Sequence, residues 1–245
     1  MGFRRGGRVA LTFDDGPSEW TEAIVDQIEI HKARATFFVL GCAIKGREAS
    51  LRRIAAAGCE VGIHGYTHRR LMDLPDDDIR SEMSRTAALI KTATGQTPTL
   101  WRAPYLDADD RVRALCADLG LREVWMTADT KDYMSEPDQV VARAVGGLRS
   151  GAVILMHDGR SPLDPPDSLL SRAGTVKAVP AILREAKRRG LASVTVSEII
   201  TRRRRRRVSD GIGFPTVSFA AGLRRWASKR LGSVGGAVQE NDQTI

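Results

Sequence analysis

Asp14 and Asp15 stand side by side at the end of the apolar run Val9-Ala10-Leu11-Thr12-Phe13, and Gly16-Pro17 breaks the chain directly after them. Side chains alternate faces along a strand. Two adjacent acids therefore aim at different partners only where the chain leaves its sheet. One carboxylate is then free to bind a cation and its neighbour to take a proton; the plainer reading is an Asx-turn closing a strand. His64-Gly65-Tyr66-Thr67-His68 carries a His-x-x-x-His spacing that lets two imidazoles meet one ion, or leaves them as a surface pair. The chain has four histidines. Three of them, His64, His68 and His157, fall at or just beyond expected strand ends, whereas His31 falls on an expected helix as a solvated or satisfied residue. Two histidines and one carboxylate from another strand end make a three-ligand set with open positions, which suits catalysis better than structure.

Arg102-Ala103-Pro104-Tyr105 ends another expected strand. Arg102 can hold a carboxylate ionised through a bidentate contact, or form an ordinary surface pair. Pro104 stops strand pairing and Tyr105 can wall a pocket. Asp129-Thr130-Lys131-Asp132-Tyr133 and Leu155-Met156-His157-Asp158 close two further strands. A histidine near a carboxylate favours its imidazolium form, as a general acid near neutral pH requires.

The elements that must position these residues alternate. Expected strands at Val9–Phe13, Ala35–Gly41, Glu60–Ile63, Thr99–Arg102, Arg122–Met126, Ala152–Met156 and Ala192–Val196 are separated by expected helices. The helices are expected at Ser18–Lys32 (capped by Ser18, with Ile24, Ile28 and Ile30 as its stripe), Arg47–Gly58, Asp76–Thr94, Asp109–Leu119, Pro137–Leu148 and Ala173–Arg189. Alternating β and α elements predict parallel strands with helices outside, an α/β barrel whose chemistry sits at the strands' C-terminal ends.

A chain of 245 residues with 42% hydrophobic residues can build one such domain. No apolar run reaches membrane-spanning length. The N-terminal stretch lacks an apolar signal-peptide core, and Cys42, Cys59 and Cys116 form no close-spaced pair. These features predict a reducing, cytoplasmic setting. The charge is uneven: residues 202–245 hold nine Arg, one Lys and three acids, a net of +7, which leaves +1 of the chain's +8 for residues 1–201. We therefore expect a catalytic body at 1–201 and a basic tail at 202–245. Within the tail, Phe219, Leu223 and Trp226 share a helical face among basic residues, a pattern suited to weak contact with an anionic membrane; a functionless solvated tail is the alternative. No specific nucleic-acid fold is recognisable.

The ordered motifs TFDDGP, HGYTH, RAPY, DTKDY and LMHD, with the supporting segments ATFFVLG and GCEVGIH, resemble the polysaccharide deacetylase family, carbohydrate esterase family four. The resemblance spans about residues 8–200. It implies a distorted, seven-stranded (β/α) barrel and metal-dependent hydrolysis of the acetamide of N-acetylglucosamine units. By position it implies Asp15, His64 and His68 as ligands of a divalent metal, commonly zinc, with cobalt or nickel as alternatives. Asp14 would be the base with Arg102 as its partner, and His157 the general acid tuned by Asp132. Tyr105, Tyr133 and Leu155 would shape the acetyl pocket, with the Tyr105 backbone N–H on the oxyanion. Two positions depart from the family pattern. Gly65 replaces the usual Ser or Thr beside the first metal histidine, which leaves the support of that loop open, and Tyr133 replaces the usual Trp. A silent sugar-binding barrel and a hydrolase of another linear or cyclic amide are the rival readings.

Overall fold

The computed structural model describes residues 6–164 and 171–201. Strand β1 (Gly7–Asp14) is the hub, with Val9, Ala10, Leu11, Thr12 and Phe13 fully buried. One edge pairs in parallel with β7 (Ala152–His157), from Val9 opposite Ala152 to Asp14 opposite His157. The other edge is shared: β8 (Leu191–Ser193) pairs with Gly7–Val9, and β2 (Thr36–Val39) with Thr12–Asp14. Beyond β2 lie β3 (Glu60–Ile63), β4 (Leu100–Trp101) and β5 (Arg122–Glu123), and beyond β7 lies β6 (Ala128–Asp129). Every pairing is parallel. The crossovers run through α1 (Thr21–Ile30), the short α2 (Gly41–Ile44), α3 (Glu48–Ala56), α4 (Asp76–Thr94), α5 (Asp110–Asp118), α6 (Pro137–Gly147) and α7 (Ala173–Arg188).

The pleat divides the core in two. Val9, Leu11, Phe13, Phe37, Val39, Ile63, Trp101, Ile154 and Met156 pack in the larger cluster, beneath the helices. Ala10, Phe38, Leu100, Val124, Val153, Val194, Val196 and Ile199 form a smaller plug on the opposite face of the sheet. Thr12 and Asp14 lie on the plug's face of β1, and Leu155 and His157 on that face of β7. The polar site is thus the upper storey of the same interior, above an apolar floor.

The expected fifth strand, Arg122–Met126, is cut short, and a further strand that was not anticipated follows it at Ala128–Asp129. Arg122 and Glu123 pair with β4, and Val124 N donates to the Trp101 carbonyl at 2.8 Å. Thr127 N donates to the Val153 carbonyl at 2.8 Å, and β6 follows on β7. One short segment thus serves both free edges of the curled sheet, and counted as one strand it gives the expected seven.

Smaller differences have local causes. Helix α1 starts at Thr21 rather than Ser18, because Ser18 is held in the preceding turn: its hydroxyl accepts from Trp20 N at 3.1 Å and donates to the Asp158 carbonyl. Ile30 is 68% exposed and leaves the buried stripe. The last strand stops at Ser193, since Thr195 and Glu198 exchange backbone-to-side-chain bonds of 3.0 and 3.3 Å, a capping box that opens a helical turn over 196–201. His31 is satisfied on its helix by the Gln27 carbonyl at 2.9 Å. Among the described residues no helix is long and apolar enough to cross a membrane. The basic tail at 202–245 lies outside the described residues.

Candidate active site

Asp15 is the first residue beyond β1 and has left the sheet with φ 73°, so its carboxylate diverges from that of Asp14. Its Oδ1 lies 3.3 Å from His64 Nε2 and 3.2 Å from His68 Nε2. His64 directly follows β3, and its Nδ1 donates to the Arg102 carbonyl at 2.9 Å, which turns the Nε2 lone pair toward Asp15. All three residues are buried, and their donor atoms lie within 4.8 Å of one another. Asp15 Oδ1 is enclosed yet accepts no well-aligned hydrogen bond. Burial works against ionisation of Asp15, but the two imidazoles and His157 hold its carboxyl well below the usual range. A buried carboxylate oxygen converging with two imidazole nitrogens, short of aligned donors, fits a divalent cation that accepts N and O ligands.

Asp14 faces the interior one residue earlier. Its Oδ1 accepts from Arg102 Nη1 at 2.7 Å, while Oδ2 stands 3.9 Å from His64 Nε2. Arg102 just follows β4 and is completely buried. It also donates to Thr12 Oγ1 at 2.9 Å and to the Val124 carbonyl at 3.2 Å, and its guanidinium sits 4.4 Å over the Phe38 ring of the apolar floor. One oxygen of Asp14 is thereby fixed and the other left toward the donor set.

His157 ends β7 opposite Asp14. Asp132 receives three bonds: from His157 Nδ1 at 2.7 Å, from His157 N at 2.7 Å and from Thr175 Oγ1 at 2.6 Å. Burial alone would lower the His157 pKa, but the Asp132 carboxylate overrides it, aided by Asp15 and Asp14, and raises it to about 9. Burial would likewise raise Asp132, but the charge and hydrogen bonds of His157 and the Thr175 hydroxyl lower it. Nδ1 is committed to Asp132, so Nε2 is the nitrogen available for proton transfer.

The expected pocket residues surround these groups unevenly. Tyr105, at φ 59°, places its ring 4.6 Å from that of His68 and is 48% exposed. Tyr133 stands edge-on to His157 at 5.5 Å. Leu155 is buried two residues before His157, on the same face of β7. All ten residues singled out from the sequence therefore gather at the C-terminal ends of β1, β3, β4, β6 and β7.

Four supporting residues were not anticipated. Thr12 bridges Arg102 to the Ile154 carbonyl at 2.8 Å. Thr175, in the first turn of α7, braces Asp132. Glu82 on α4 binds the histidine loop through Tyr66 N and Thr67 N. Asp158 is wholly buried against the Asp15-Gly16 turn, where a Cβ on Gly16 would overlap its carboxylate. Burial first, and then the neighbouring Asp15 and Asp14 charges, push Asp158 up to about 7 despite a 2.5 Å bond from Thr21. Thr12 and Asp158 had a local signal, their places in the TFDDGP and LMHD motifs; Thr175 and Glu82 act from remote helices.

The pattern of the family described as polysaccharide deacetylase matches residues 4–124. A chitooligosaccharide deacetylase of Bradyrhizobium sp. (strain ANU 289) is 33% identical over 187 residues, which cover 74% of this chain and 85% of that protein. The chain belongs to the polysaccharide deacetylase family. The likeness to this family extends to larger proteins: a bifunctional xylanase/deacetylase of Pseudobutyrivibrio xylanivorans is 32% identical over 78% of this chain, which spans only 30% of that protein's length. Among solved structures, a family 4 carbohydrate esterase from Streptomyces lividans in complex with acetate superposes with a TM-score of 0.69 at 34% identity, covering 76% of this chain and 91% of that one. The polysaccharide deacetylase fold, a curled parallel sheet with outer helices, is thus the frame that gathers the site.

Proposed function

We propose that this chain is a metal-dependent N-deacetylase that hydrolyses the acetamide of N-acetylglucosamine units and releases acetate. The observation that carries this reading is the pairing of two opposed proton-transfer groups around one donor set. Asp14 is braced by Arg102 on one side, His157 by Asp132 on the other, and Asp15, His64 and His68 converge between them. These three residues would hold the cation, with zinc, cobalt or nickel as candidates, and the bound ion would lower the pKa of a coordinated water and polarise an amide carbonyl.

The chain's own groups supply the remainder. Asp14 Oδ2 takes the proton from the attacking water, and Arg102 keeps the other oxygen in place. His157 is protonated at neutral pH and delivers its Nε2 proton to the departing amine nitrogen, so water and amide become acetate and a free sugar amine. Tyr105 N–H holds the developing oxyanion, while Tyr133 and Leu155 bound the space for the methyl group. The sugar-carrying partner is an oligosaccharide or a glycosylated intermediate, and the three free cysteines favour the expected cytoplasmic setting.

Acetate release from N-acetylglucosamine oligomers of graded length, with zinc or cobalt supplied and D14N as control, tests this reading. Release by the parent chain alone supports it and ranks the lengths. Glycan binding without acetate release would favour the silent barrel, and turnover of other amides without acetate would favour a different C–N hydrolase.

A further inference from the structure

The two histidines of the donor set are held in different ways. His64 sits at the end of a ladder strand, and its outer nitrogen is anchored on the Arg102 carbonyl. His68 has neither support: it adopts φ 63°, follows a loop, and its Nδ1 is buried with no hydrogen-bond partner. A metal-binding imidazole is ordinarily oriented by a bond at its other nitrogen. Apart from the Tyr105 ring packed 4.6 Å away, the orientation of His68 is left to the backbone that delivers it.

That backbone is tied to α2, where Gly41 N donates to the Gly65 carbonyl at 3.1 Å and Cys42 N to the Tyr66 carbonyl at 3.0 Å, but the two N–H groups nearest His68 are held by one carboxylate on α4. Glu82 Oε2 accepts from Tyr66 N at 2.6 Å and from Thr67 N at 2.8 Å, and Oε1 accepts from Thr67 Oγ1 at 2.8 Å. One helical turn along α4, Thr86 Oγ1 donates to the Gly65 carbonyl at 3.0 Å. Gly65 has φ 82°, and a Cβ there would stand 3.3 Å from Glu82 Oε2. A side chain at position 65 would therefore crowd the carboxylate, on a backbone that disfavours it. The residue that departs from the family pattern and the buried acid on α4 are two parts of one arrangement.

We infer that Glu82 is the positioning residue for His68, and that it sets the affinity of the Asp15-His64-His68 set for its cation. This rests on the reading of those three residues as a metal site. Removing the carboxylate leaves two half-buried N–H groups without their acceptor. The Tyr66-Thr67 backbone then loses its anchor on α4, and the direction in which it delivers His68 is loosened.

The test is zinc affinity of the full chain, stripped and titrated against a chromophoric chelator, with the absorption spectrum of the cobalt-loaded protein as a second readout. E82L is expected to weaken zinc binding by about 10- to 100-fold and to alter the cobalt bands. E82Q, which keeps one acceptor oxygen, is expected to fall between E82L and the parent, and it covers the case in which E82L does not fold. Zinc affinities within twofold of the parent in every folded variant, with unchanged cobalt bands, would overturn the inference alone. A parent chain that binds no zinc would overturn the metal reading with it. Affinity loss in a protein that releases no acetate would support the inference while removing the proposed reaction.

Discussion

Arg102 Nη1 meets Asp14 Oδ1 at 2.7 Å, and neither side chain is more than 3% exposed. This ion pair fixes one oxygen of the proposed base inside the barrel and leaves the other unpaired by arginine. D14N keeps the shape and an oxygen for Arg102 but removes the basicity. Acetate release is expected to fall by about 10²- to 10⁴-fold. Zinc affinity should stay close to the parent's, because the substituted side chain would still stand beside the donor set rather than in it. Steady-state kinetics and chelator competition on the same preparation check both halves.

Loss of the other partner has a different signature. R102M leaves Asp14 enclosed without its counter-charge, and breaking a buried pair in this way costs about 3–5 kcal/mol. Urea denaturation of the metal-free protein should show that loss, accompanied by loss of turnover. A change below about 1 kcal/mol would mean that Asp14 finds another partner or water.

The Asp132–His157 pair predicts a pH dependence. The folded pKa of His157 is about 9, against a reference of 6.5. The pair's contribution to stability is therefore fully present below about pH 6.5 and lost as pH rises through about 9. Melting temperatures of the metal-free parent should decline across that window. D132N should be less stable at pH 6 and should show a shallower decline. The alkaline limb of acetate release should also move to lower pH in D132N, because a less basic His157 loses its proton earlier.

H68A removes one of three donor atoms, and the methyl group left behind offers no lone pair in exchange. Chelator treatment should silence the parent, and added zinc should restore it. The same zinc concentration should leave H68A silent. Bound zinc quantified after gel filtration separates loss of metal from loss of chemistry.

The site is legible in the sequence where chemistry and strand ends coincide. Asp14-Asp15, His64, His68, Arg102, Asp132 and His157 stand beside turn residues that end apolar runs, and the structure brings them together. The helix Asp76–Thr94 is legible to the residue, because Pro75 precedes it and Gly95, at φ 73°, stops it. The division of 122–129 is not legible, since strands of two residues carry no periodicity. Around Thr195-Val-Ser-Glu198 two signals compete: the β-branched residues favour a strand, and the capping box, which prevails, favours a helix. Glu82 and Thr175 are hidden for a different reason. Glu82 sits on a helix among other polar residues and Thr175 in a mostly apolar helical turn, and only the fold shows that both point at the site.

The seam at 122–129 bears on how such a barrel can vary. Asp15, His64, Asp14 and His157 hang on the uninterrupted span β3-β2-β1-β7, whereas their two braces, Arg102 after β4 and Asp132 after β6, flank the gap. Insertions at the seam would thus move braces before they move reacting groups. Through its carbonyl on His64 Nδ1, Arg102 would pass part of such a movement on to the donor set, whereas Asp132 would pass it only to His157. The break in the sheet is the place where this architecture is adjustable.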